Sequence, residues 1–148
     1  MSEVATPAAP VGEALVRSYA REAEMYRDLL FLAREQGGLL QRDEDVGRYA
    51  ALFPRKDELL RSIGRIEGEL EPLKRQWLAA DAGAEVRARL NGLLDGLLGI
   101  IEAIREQEER NEARLCSRAA AARQAVHRAR LSTYPPDELS SCAVACTV

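Results

Sequence analysis

Apolar residues recur along this chain at intervals of three and four, the period that gathers them on one face of a helix. From Val11 to Gln41 the residues Leu15, Tyr19, Tyr26, Leu30 and Ala33 keep that spacing while Arg and Glu fill the other faces, predicting a first long helix. Gly37 and Gly38 lie near its end; a glycine inside a helix costs about 1 kcal/mol relative to alanine, so a kink or early termination is expected there. In "QRDEDVGRYAALF" the acidic Asp43, Glu44 and Asp45 suit the positive end of a following helix. Val46, Tyr49 and Phe53 fall on one side of it, and two or three turns are expected.

"LFPRKDELL" reads as a break and a restart. Pro54 lacks an amide proton and disfavours a helical Phe53, so it belongs just inside the next helix, with Asp57 and Glu58 in the first turn. That helix carries Leu59, Ile63, Ile66, Leu70, Leu73 and Trp77 as a seam, with Pro72 expected to bend it. "AADAGAE" ends it, and Asp81 or Gly83 begins the last helix, whose seam runs Val86, Leu90, Leu93, Leu97, Ile100, Ile104, then Gln107, Asn111 and Leu115. Short connections between seamed helices give antiparallel neighbours. The expected fold is all-α: an antiparallel helical bundle, or long helical hairpin, with an extended C-terminal helix. Residues 1–10 read as a disordered leader, 11–131 as the bundle and 132–148 as a flexible tail. A last helix over 84–131 would be about 70 Å long against about 40 Å for one over 54–80, and would overhang it by several turns. Such an overhang docks another protein, or else it folds back or simply frays.

Composition narrows the function classes. Only 5% of residues are aromatic and 30% are charged, the balance of long helices, and the net charge of −3 gives no field to hold phosphate backbones. No stretch approaches the about 18 apolar residues of a membrane span. "MSEVATPAAPVGE" has neither the basic start nor the apolar core of a signal peptide, so a cytoplasmic location is expected. Cys116, Cys142 and Cys146 are an odd number with irregular spacing; with His127 they make a nominal zinc set, but no metal or other cofactor is expected. His127 is the only histidine, no Glu-x-x-His pair or phosphate-binding glycine loop occurs, and no enzyme activity is expected.

Two stripes are open to more than one reading. Gly92, Gly96 and Gly99, with Ala103, form a line of small residues suited either to close packing inside the bundle or to a groove for a partner helix. Arg110, Arg114 and Arg118 recur every fourth residue, followed by Arg123, Arg128 and Arg130. They either oppose the helix dipole as a solvated face or meet an acidic partner.

The segment "EMYRDLLFLAREQGGLLQRDEDVGRYAALFPRKDELLRSIGRIEGEL" resembles the FlgN-like flagellar export chaperones. It carries a Leu-rich first helix, an Asp-containing turn, a short helix, the restart at Lys56, Leu59 and Leu60, and an apolar seam; a long last helix containing Asn111 follows. The resemblance covers roughly residues 13–130. It implies a cytoplasmic helical chaperone that binds hook–filament junction proteins (FlgK-like, FlgL-like) through its C-terminal helix before type III export, with export-apparatus components as further partners. The Gly stripe and the Cys-containing tail depart from the family pattern. The partner-binding residues expected are Ile104, Arg110, Asn111, Arg114, Leu115, Arg118, Ala122 and Val126, with no nucleic acid and no membrane insertion. The alternative is a self-associating coiled-coil module, a homodimer without an export role.

Overall fold

A computed structural model describes residues 8–42, 46–79 and 83–131. Its elements are α1 (Ala8–Gln41), α2 (Val46–Ala50), α3 (Phe53–Ala79) and α4 (Ala84–Leu131), with no strand among the described residues. The fold is therefore all-α. The acidic cluster at 43–45, Asp81, residues 1–7 of the leader and the tail with Cys142 and Cys146 lie outside the described residues. The chain divides into two compact units, one ending at Asn111 and one starting at Glu112.

In the first unit α3 runs antiparallel to α1, and α4 returns parallel to α1. Leu29 of α1 packs in one cluster with Leu59 and Ile63 of α3, while Val11 and Leu15 share another with Ile66 and Leu70 of α3 and Leu90 of α4. Arg89 of α4 donates to Glu13 at 2.7 Å, and Asn111 of α4 donates to the Ala33 carbonyl, which fixes the parallel register at both ends. The α3 seam behaves as its spacing predicts: Leu59, Ile63, Ile66 and Leu70 are buried, and Leu73 and Trp77 are half-buried. Full burial of a Leu or Ile side chain such as Leu15, Ile66 or Leu70 contributes roughly 1.5–3 kcal/mol.

The buried face of α1 differs from the one expected. It runs Val11, Leu15, Glu22, Leu29, Ala33, Gln36 and Leu40, with intervals of three, four or seven, so that two polar residues occupy core positions. Three boundaries also move. α1 begins at Ala8 and continues through Gly37 and Gly38 to Gln41; Pro10 falls in its first turn, where amide protons have no helical acceptor in any case. α2 is a single turn, with Tyr49 buried and Val46 exposed. Pro54 does sit just inside α3, but the first turn holds no acidic residue, since starting at Phe53 puts Asp57 and Glu58 one turn later. The helix continues through the exposed Pro72 to Ala79.

Of the two readings of the glycine stripe, close packing within the bundle is removed. Gly92, Gly96 and Gly99 are exposed, and a Cβ on any of them would meet nothing within 4 Å. Close approach occurs instead at Gly12 and Gly37. A Cβ at Gly12 would stand 2.6 Å from Val86 Cγ1 and 2.8 Å from the Trp77 ring, and one at Gly37 would stand 2.5 Å from Gln107 Nε2 and 2.9 Å from Asn111 Oδ1. These two positions let α4 lie against α1.

Urea unfolding should separate the two kinds of glycine. Gly96→Ala is expected to gain about 0.5–1 kcal/mol from helix propensity alone, while Gly12→Ala, pressed against a branched side chain and an indole, should lose about 1–3 kcal/mol.

Candidate functional site

The most connected group of polar side chains lies in the first unit, where all four helices meet. Lys56, in the first turn of α3 and 8% exposed, donates to Gln36 Oε1 of α1 at 2.9 Å and forms an ion pair with Glu108 of α4. Gln36 has its amide nitrogen to spare and donates it to the Tyr49 carbonyl of α2 at 3.0 Å. The Lys56 ammonium also stands 5.3 Å from the centre of the Phe53 ring, which meets the Tyr49 ring edge-on. One turn further along α4, Asn111 donates to the Ala33 carbonyl at 2.9 Å and accepts from Gln107 Nε2 at 2.9 Å. Burying an ammonium is tolerable only with charge and hydrogen-bond partners, and here both are present.

A second polar group sits midway along α1. Glu22 is 1% exposed, and its Oε2 has no hydrogen-bond partner. Burial, a hydrogen bond to Glu67 and the Glu67 charge push its pKa up to about 8, against a smaller opposing pull from Lys74. Burial, followed by the charges of Glu22 and Glu67, also raises the Tyr26 hydroxyl. Lys74 is disfavoured as a cation by burial, but Tyr19, Glu67 and Glu71 outweigh this and raise it. The arrangement favours the protonated form of Glu22.

The expected partner-binding residues fall into two groups. Ile104, Arg110 and Asn111 belong to the first unit. Ile104 packs against the cluster of Leu29, Leu59 and Ile63; Asn111 is 1% exposed and committed to Ala33; Arg110 is exposed and donates to Gln107 Oε1 at 3.1 Å. Arg114, Leu115, Arg118, Ala122 and Val126 belong to the second unit. There Arg114, Ala122 and Val126 are exposed, with Val126 at 52%, while Leu115 and Arg118 are half-buried. Glu22, Gln36 and Lys56 were not anticipated as buried groups. The first two fall on the three-four spacing of the α1 seam, which was the available signal.

Cys116 and His127 are exposed, and among the described residues no three His, Cys, Asp or Glu side chains are grouped to hold a metal ion. No described helix is long and apolar enough to cross a membrane. None of the protein-family models, curated proteins or solved structures matches the chain.

Two measurements follow from these groups. Lys56→Met should cost about 1.5–3 kcal/mol in urea unfolding, because Gln36 and Glu108 lose a charged donor. For Glu22, the raised pKa means that its folded form keeps a proton which the unfolded chain has shed. The stability it permits is complete below pH 4.5 and declines as pH rises through about 8. Glu22→Gln should remove that decline, so the two unfolding curves should diverge between pH 5 and pH 8 in favour of the variant.

Proposed function

We propose that this chain is a helical export chaperone of the FlgN-like kind, which holds hook–filament junction proteins in the cytoplasm before flagellar type III export. The observation that carries this reading is the state of α4 from Glu112 to Leu131. It is helical throughout, and Ala119, Ala122 and Val126 lie exposed on one face in continuation of the three-four spacing. A preformed helix with an uncovered apolar line receives another amphipathic helix by helix-on-helix docking. The order of features in residues 13–130 supports the choice of family. A client segment disordered on its own would lose ordering entropy on binding, so moderate affinity is expected.

A second reading is self-association, and one observation favours it. Leu98 is 64% exposed and Ile101 37% exposed, one turn apart on α4 within the first unit. Together they offer an apolar patch to a second copy.

Titration of the full chain with the C-terminal segment of a junction protein from the same cell tests the chaperone reading. Saturable one-to-one binding is expected, weakened at least about tenfold by Ala122→Glu with Val126→Glu, two substitutions of exposed residues that should leave thermal unfolding unchanged. Absence of binding, together with a concentration-dependent mass that Leu98→Lys abolishes, would replace it with the self-association module.

A further inference from the structure

The apolar core of the first unit is interrupted midway along the interface of α1 with α3. Val11 and Leu15 of α1 belong to one cluster with Ile66 and Leu70, and Leu29 to another with Leu59 and Ile63. The two clusters divide on α3 between Ile63 and Ile66, beside Glu67, and on α1 between Leu15 and Leu29, where Glu22 stands. Met25, half-buried, packs against both. Glu22 and its neighbour Ala23 are each 1% exposed, and Glu22 Oε2 has no hydrogen-bond partner among the described residues. The bond that Glu22 makes across the interface is to Glu67. Two ionised carboxylates are acceptors only, so this contact exists only while one of the pair carries a proton.

The charged surroundings offer no replacement for that proton. On α3, Lys74 stands 3.6 Å from Glu67 and 3.8 Å from Glu71 and lies over the Tyr19 ring, so its charge is divided among other groups. On α1, the Tyr26 hydroxyl responds to the charges of Glu22 and Glu67, and the exposed Arg21 pairs with the exposed Glu69 at 3.8 Å. Residues of α4 meet α1 residues 76 and 78 positions earlier at the two bonded ends, which brings residues 98–100 alongside Glu22. The covered side chains of α4 at that level are Leu97 and Ile100, while Asp95 and Glu102 are exposed.

We propose that the Glu22–Glu67 contact is a proton-dependent latch, at which α1 and α3 part locally as pH rises while both ends of the first unit stay closed. An ionised Glu22 would be out of water and without a donor. Parting the helices at this level rehydrates it and uncovers little apolar surface beyond Ala23 and Met25. At the ends, the same motion would pull Lys56 from Gln36 and Glu108, or Arg89 from Glu13, and would strip the Leu and Ile clusters. Local opening selects the level with the fewest buried apolar contacts. The Glu22 carboxyl, with its pKa at about 8 when closed and at the ordinary 4.5 when open, makes closure progressively less favourable between those two values.

Hydrogen exchange of the full chain, read by mass spectrometry at pH 5 and pH 8 and normalised to the intrinsic rate at each pH, tests the latch. Segments over 19–26 and 63–70 should lose protection at least about tenfold between pH 5 and pH 8, while segments over 33–41 and 105–111 should change by less than about twofold. Glu22→Gln should abolish the loss, because an amide stays neutral and donates to Glu67 throughout. Glu67→Gln, at a half-buried position, should shrink the loss by giving Glu22 a donor, and decides the matter where the first variant does not fold. Equal loss of protection in every helix, no loss in any, or a loss that either folded variant retains in full would each overturn the latch.

Discussion

The Lys56 ammonium stands where α1, α2, α3 and α4 converge, and three of its neighbours offset its charge. Glu108 supplies the countercharge, Gln36 a carbonyl oxygen, and Phe53 the negative face of a ring. Apolar seams alone tolerate slippage, because one Leu layer resembles the next. A buried cation with partners on α1 and α4 is satisfied in one register only, and the bond from Gln36 to Tyr49 extends that register to α2. Asn111 repeats the device one turn along α4, and Gly37 removes the side chain that would keep the two helices apart.

At the opposite end the register is held differently. Gly12 admits Trp77 and Val86, and the Glu13–Arg89 pair, half-exposed on both sides, adds little beyond orientation. Between the two ends, Glu22 is a core position filled by an acid. Burial there favours its neutral form, so this core position carries a carboxyl without the ion pair that Lys56 has.

The number, order and type of helices were legible in the sequence because periodicity and proline chemistry act locally. Leu59 through Trp77 could be placed on one face without knowing what lay opposite. The buried polar residues could not be read the same way. Lys56 is an unremarkable cation until Gln36 and Glu108, 20 and 52 positions away, are brought to it. The glycines show the same limit: spacing left Gly92, Gly96 and Gly99 open to packing or to a groove, whereas Gly12 and Gly37 are revealed as contacts only by residues far along the chain. Of the residues expected to meet a partner, the helical pattern identified the exposed line at Ala122 and Val126. It had no means of showing that Asn111 was already engaged.

The parallel placement of α1 and α4 has a consequence for synthesis. Residues on α1 find their α4 partners 76 and 78 positions later, at Glu13 with Arg89 and Ala33 with Asn111. The hairpin of α1 and α3 can close as soon as both have left the ribosome, but its remaining open side, with the Glu108 partner of Lys56 still unmade, stays uncovered until α4 follows. Translation thus delivers the basic helical segment from Glu112 to Leu131 only after every residue that closes the bundle has been made.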